Sequence, residues 1–423
     1  MLLSQISVSH SDLATELPSS LETVAPSPSH TDSQYAQNNQ GHEAPRPRLR
    51  TLNEDEVFWS TTTATVLSRL LDQANYDARS KSFYMSFYSQ FVLPAFGPRP
   101  QSNNTPFWRS FVTDDFSPIE YSWNFTAKQE STIRFAIEPI SVLAGTAEDP
   151  FNQIAPAEFL ELTKSLGSDV DLSWYNTLAD ALYMKRDASA SAQQQFSPRE
   201  TASQAFVGFD LNRQGKLAPK VYMMPNVKAA WSGTSPLELV TAALQRIEVQ
   251  GTNILIAWKV VQSYIRSQPA GSIPAVEIIS FDCVGPQSPS ARIKVYVRSP
   301  NMSLAVAKDM FTLGGRVVAE DTPRALDLLE ELWRLLLNIP LLTPEDAEVS
   351  PRNESHANHR TGGVIFNYEL TPGFPIPEPK LYIPVRHYAN SDLAIAEGLA
   401  AFFRRHGWAS HGNSYVGSVT KVL

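Results

Sequence analysis

The chain has 423 residues, and its 35 Lys and Arg against 43 Asp and Glu leave a formal charge of −8. That acidic balance argues against a nucleic-acid partner, and no run approaches the roughly 20 apolar residues of a membrane span. The 43% hydrophobic and 10% aromatic content can fill a large core, while the one cysteine, Cys283, excludes an internal disulfide framework and fits a reducing, cytoplasmic setting.

Residues 1–50 are rich in Ser, Thr, Pro, His and Gln without apolar periodicity, and read as a disordered leader ahead of one domain over 51–423. The start lacks a basic segment followed by a sustained apolar one, so a secretory signal is not expected. Trp59, Thr63, Val66, Leu67, Leu70, Leu71 and Ala74 form one helical stripe. Phe83, Phe87 and Phe91 continue at i+4 spacing on a second helix that Pro94 stops.

A rhythm then sets in. Residues 118–140 read as strand, polar turn, strand, followed by helical patterns at 156–166 and 173–186. A second hairpin over 206–225 turns at Asn212-Arg213-Gln214-Gly215, with helices at 236–248 and 252–267. A third spans 276–298 with a Pro/Ser-rich turn, followed by helices at 303–312 and 323–338 and a polar loop over 343–360. A fourth spans 363–386 around a Pro-rich turn, followed by a helix at 391–406 and a strand candidate at 414–422. Hairpins followed by helices, at a period of roughly 80 residues, make an internal repeat. Consecutive hairpins favour antiparallel pairing, and such a sheet, covered by helices, can close into a barrel that has no edges.

The second strand of each hairpin carries a cation near an aromatic: Arg134-Phe135, Lys220-Val221-Tyr222, Arg292-Ile293-Lys294-Val295-Tyr296 and Lys380-Leu381-Tyr382. Residues two apart on a strand share a face. Each Lys-x-Tyr pair therefore aims a cation and a ring into the same lumen. Such a lining is suited to holding a multiply charged anion and then sheltering the cation created when that anion leaves.

The segment Thr113-Asp114-Asp115-Phe116-Ser117-Pro118-Ile119-Glu120-Tyr121-Ser122-Trp123-Asn124 resembles a hallmark of the fungal dimethylallyltryptophan synthase family of aromatic prenyltransferases. So do Arg134-Phe135-Ala136-Ile137-Glu138-Pro139, the Lys220, Arg292 and Lys294 strands, and Lys380-Leu381-Tyr382-Ile383-Pro384-Val385-Arg386-His387-Tyr388. The likeness covers residues 57–423. It implies an α+β fold, a ten-stranded antiparallel barrel of αββα repeats ringed by helices. It also implies transfer of a prenyl group, usually dimethylallyl, from its diphosphate to an indole in secondary metabolism, without metal or other cofactor. By the same resemblance, Arg134, Lys220, Arg292, Lys294 and Lys380 would bind the diphosphate, Lys380 standing where relatives often have a polar ligand. Tyr222, Tyr296 and Tyr382, with Tyr415 as a fourth member, would shield the allylic cation. Glu120 would accept the indole N–H.

Some tryptophan-using relatives place a lysine on the first strand of the second hairpin; here that stretch is Gln204-Ala205-Phe206-Val207-Gly208-Phe209. A water, Glu120 or the diphosphate is then left to take the ring proton. Val364, Ile365 and Phe366 are placed to limit donor length. Asp114-Asp115 lacks the spacing of an aspartate-rich metal box, the histidines show no ligand-like cluster, and His387 and Cys283 read as structural. Gly314-Gly315 reads as a helix cap. A tyrosine or polycyclic-phenol acceptor, or a non-catalytic barrel for an anionic lipid, are the competing readings. A homodimer is left open.

Overall fold

The computed structural model describes residues 6–9, 51–126, 130–167, 169–185, 201–248, 251–356 and 359–422. Within them β1 (Ile6–Ser9), β2 (Ile119–Asn124), β3 (Thr132–Ile137), β4 (Ala205–Leu211), β5 (Pro219–Met223), β6 (Ala275–Asp282), β7 (Ile293–Arg298), β8 (Ile365–Leu370) and β9 (Glu378–Ile383) form one sheet in the order β1-β9-β8-β7-β6-β5-β4-β3-β2. Every ladder is antiparallel.

The hairpins fall where the period-two pattern puts them, and so do the helices after them. Pro236–Glu248, Ile254–Ser267, Leu304–Thr312, Thr322–Leu337 and Asp392–Arg405 stay within two residues of expectation. The helix expected over 173–186 closes earlier, at Leu182, and residue 186 lies outside the described residues. Local chemistry sets several starts. Asn53 and Glu56 bond reciprocally across the first turn of Glu54–Gln73, and Ser303 and Ser391 cap the helices that follow them.

Two expectations need correction. The sheet has nine strands among the described residues, not ten, and the strand expected at 414–422 is part of a helix, Ala409–Val422. Val416, Val419, Thr420 and Val422 favour a strand locally. Burial of His411, Tyr415, Val419 and Val422 instead follows helical spacing, because this segment packs against the helices Asp392–Arg405 and Glu54–Gln73. The ninth strand comes from Ile6–Ser9, inside the segment expected to lack structure; residues 10–50 lie outside the described residues.

Strands β3 to β9 face two cores. The outward residues, such as Ile133, Phe135, Val221, Ile293, Val295 and Leu381, are buried under the helices in the main core. The inward residues build a separate apolar chamber of Val112, Phe206, Met224, Ile278, Tyr296 and Ile365, with Phe111, Ala136, Tyr222 and Tyr382 packed on it. No helix among the described residues is long and apolar enough to cross a membrane.

Candidate active site

The sheet curves around a cavity of about 870 Å³ whose wall includes Glu120, Arg134, Lys220, Tyr222, Tyr296 and Tyr382. Strand register sorts this wall into tiers. In one tier, cations of the odd strands stand opposite carboxylates of the even ones: Arg134 pairs with Asp210, Lys220 with Asp282 and Lys294 with Glu369. Lys380 pairs with Asn367 on the same face.

Side-chain contacts knit this belt together. Arg134 Nε lies 2.9 Å from Asp210 in an ion pair, and Asp210 accepts a hydrogen bond from Lys220 Nζ. Lys220 Nζ is 3.8 Å from Asp282, and Arg292 Nε donates to the same carboxylate at 2.6 Å. Glu369 lies 3.5 Å from Arg292 and 3.4 Å from Lys294. Arg134, Lys220, Arg292 and Lys294 thus share three carboxylates, so the belt keeps a positive surplus while its cations are held in place. Burial would raise Asp210, but Arg134 and Lys220 outweigh it and bring it down to about 2. Burial, with Arg292 and Lys220 nearby, lowers Lys294 to about 8. Asp210, Asp282 and Glu369 carry no local signature of this role, since their partners become visible only once strand register is known.

The next tier is aromatic. Tyr222 and Tyr296 have ring centroids 6.1 Å apart, and Tyr296 and Tyr382 5.7 Å. Phe206 stacks on Tyr222 at 4.5 Å with the planes 7° apart. Gly208 permits this stack, because a Cβ there would sit 3.0 Å from the Tyr222 ring. Asn367 Nδ2 donates to Tyr382 Oη at 2.8 Å, fixing that ring. Burial pushes all three tyrosines up, which keeps their hydroxyls neutral.

Glu120 stands on β2 opposite Ala136, with its carboxyl on the cavity. It is half-buried, and the apolar surroundings, aided by the negative charge of Asp114, raise it to about 7. The loop ahead of β2 is pinned by Glu138, a buried carboxylate that accepts from Trp108 Nε1 at 2.7 Å, Ser110 Oγ at 2.6 Å and Ser203 Oγ at 2.7 Å. This sets Phe111 and Val112 on the chamber wall. Nothing in the local pattern distinguishes Glu138 from a surface glutamate; only the assembled loop does.

Tyr415 does not join the tyrosine tier. It lies on the C-terminal helix, buried beside Trp123 (6.4 Å), Phe125 (5.3 Å) and Phe403 (5.8 Å), in the core rather than on the cavity wall. Arg292, Lys294 and Lys380 are not among the residues lining this cavity; Arg292 is linked through Asp282 to Lys220, which does line it, and Lys294 through Glu369 to Arg292. The sequence predicts no cluster of histidines, yet Asp114, His359 and His387 come together where the loops before β2 and β8 meet the turn after β9.

Residues 55–418 match the sequence profile of tryptophan dimethylallyltransferase. A 7-dimethylallyltryptophan synthase of Aspergillus fumigatus is 38% identical over 85% of this chain and 76% of its own length. An indole diterpene prenyltransferase of Penicillium janthinellum is 32% identical over 87% of this chain and 84% of its own. The crystal structure of NotF in complex with brevianamide F and DMSPP superposes with a TM-score of 0.74 at 28% identity, covering 88% of this chain and 87% of that one. A profile match across most of the chain, relatives this similar over most of both lengths and a shared curled antiparallel sheet agree: the chain belongs to the tryptophan dimethylallyltransferase family of aromatic prenyltransferases.

Proposed function

We propose that this prenyltransferase ionises dimethylallyl diphosphate in the charged belt, shelters the allylic cation under Tyr222, Tyr296 and Tyr382, and delivers it to an indole whose N–H is held by Glu120. The observation that carries the reading is the stacking of tiers: a preorganised cation belt directly beside neutral aromatic faces, with Glu120 on the wall of the same cavity. As the allylic C–O bond breaks, negative charge grows on the departing diphosphate. Cations already fixed by Asp210, Asp282 and Glu369 meet that charge without reorganising. The tyrosine rings stabilise the allylic cation through their π faces and exclude water that would quench it. A ring carbon then bonds to the allyl terminus, and the ring proton leaves to restore aromaticity. The inward side chains of β4 are Phe206, Gly208 and Asp210, none of them a lysine. Glu120, poised near neutrality, is the base this reading assigns.

The test is incubation of the protein with dimethylallyl diphosphate, excess EDTA and a panel of indoles and phenols, with mass gains read by LC-MS. Tryptophan and related indoles are expected to gain one dimethylallyl group. Product from phenols alone would move the acceptor class to tyrosine-like rings, and activity that returns only with Mg²⁺ would remove the metal-free mechanism. Glu120→Gln keeps size but loses charge, so turnover should fall by roughly 10²-fold or more while donor affinity holds. Full turnover in that variant would take Glu120 out of the chemistry.

A further inference from the structure

Three side chains from separate loops converge beside the cavity. Asp114 comes from the loop before β2, His359 from the loop before β8, and His387 from the short helix Val385–Tyr388 after β9. One ligand-capable atom from each lies within 4.8 Å of the others. Asp114 and His387 are on the cavity wall itself.

Outer contacts hold these three groups in place. Arg386 donates to Oδ2 of Asp114, leaving Oδ1 turned toward His359, whose Nε2 is 3.7 Å away. The backbone N–H of Thr361 donates to His359 Nδ1 at 3.3 Å, and Thr361 Oγ1 lies 3.0 Å from the same nitrogen. Nδ1 of His359 therefore accepts, and Nε2, which carries the ring proton, faces the carboxylate; an incoming ion would displace that proton. Thr361 Oγ1 also bonds His387 Nε2 at 2.6 Å, so one hydroxyl positions both imidazoles.

An independent observation points the same way. Nδ1 of His387, a site member, is buried without a hydrogen-bond partner. Buried polar atoms without partners are rare enough to need a cause. Neutral imidazole is the form that binds a metal, and burial, chiefly, favours that form at both rings.

We propose that Asp114, His359 and His387 form a binding site for a borderline divalent ion of the Zn²⁺ class, and that its occupation inhibits the enzyme from the acceptor side. Two imidazoles and one carboxylate suit Zn²⁺ far better than Mg²⁺ or Ca²⁺, which seek all-oxygen shells. Zn–N and Zn–O bonds of about 2.0–2.2 Å place tetrahedral ligands roughly 3.4 Å apart, so closing the site takes small side-chain rotations. Arg386 and Arg360, both paired with Asp114 and the latter 3.9 Å from its Oδ1, oppose a cation, which fits weak, reversible binding rather than a structural site. An ion here would sit against the cavity wall that Asp114 and His387 share with Glu120, and would cancel the negative charge that Asp114 directs at Glu120.

The test titrates Zn²⁺ alone into chelator-stripped full-length protein by calorimetry, for wild type, His359→Ala and His387→Gln, with circular dichroism to confirm folding. The expected result is a Zn²⁺ isotherm whose affinity falls by roughly 10- to 100-fold in the folded variants. In turnover, Zn²⁺ should raise the KM for the acceptor and leave that for the donor unchanged. EDTA should reverse the effect, and His359→Ala should be insensitive to it. No Zn²⁺ binding by wild type, or an isotherm unchanged in His359→Ala, overturns the site. Inhibition that competes with the donor overturns the acceptor-side role.

Discussion

Lys294 lies between Arg292 and Lys220, and burial together with those two charges lowers its ammonium to about 8. A bound diphosphate would reverse that imbalance and favour the charged form. Donor binding should therefore take up a proton near pH 8, and donor affinity should weaken as pH rises through that value. Calorimetry in two buffers of different ionisation enthalpy measures the uptake directly. Lys294→Arg stays charged and should flatten the pH dependence, whereas Lys294→Met should lose about 1.5–3 kcal/mol of binding, or roughly 10- to 150-fold. Proton uptake that persists in Lys294→Arg would assign the titration elsewhere. Glu120 moves in the opposite direction: it is raised to about 7 from its ordinary 4.5, by burial first and Asp114 second. Its carboxylate is the form that receives positive charge, so kcat/KM for the acceptor should climb as pH rises through 7, and Glu120→Gln should lack that limb. For stability the sign differs. The folded state keeps this proton between pH 4.5 and 7 while the unfolded chain loses it, so stability contributed by this group declines as pH rises across that window.

At the scale of elements, the hairpins were legible because a strand's period of two is written in its own residues. Lys220 with Tyr222 and Lys294 with Tyr296 declare a shared face without reference to any neighbour. The carboxylates opposite them were not legible, because Asp210, Asp282 and Glu369 acquire meaning only through register between strands far apart in sequence. Asp114, His359 and His387 were illegible for the same reason. The C-terminal segment failed differently: its β-branched residues argue for a strand, and tertiary packing along His411, Tyr415, Val419 and Val422 overrides them. That difference is measurable at Tyr415. As a core residue among Trp123, Phe125 and Phe403, its replacement by Ala should cost about 3–5 kcal/mol of stability. At a temperature where the variant stays folded, the ratio of prenylated product to hydrolysed donor should match wild type. A rise in hydrolysis like that expected for Tyr296→Ala would return Tyr415 to the shield.

For the molecule as a whole, the point of interest is how the sheet ends. β9 carries Lys380 and Tyr382, and β8 pairs with only one of its sides. On the other side lies β1, with Ser7 opposite Tyr382 and Ser9 opposite Lys380. Four residues from the start of the chain thus flank a strand of the proposed donor site, across more than 300 positions of sequence. Composition could not reveal this, since a four-residue strand is too short to show alternation within a Ser-rich segment. Removing residues 1–10 should leave the far side of β9 as an open edge, with its backbone donors and acceptors exposed to water or to another chain. The expected consequences are a melting temperature lower by on the order of a few degrees, greater aggregation on heating and weaker donor binding, since Lys380 and Tyr382 would sit on a fraying strand. Hydrolysis of the prenyl diphosphate relative to transfer should also rise as Tyr382 loosens. Thermal melts, light scattering and donor calorimetry on the truncated chain measure each of these. Unchanged melting and unchanged donor affinity would show that β1 adds nothing to β9, and that the sheet's working edge is already complete without it.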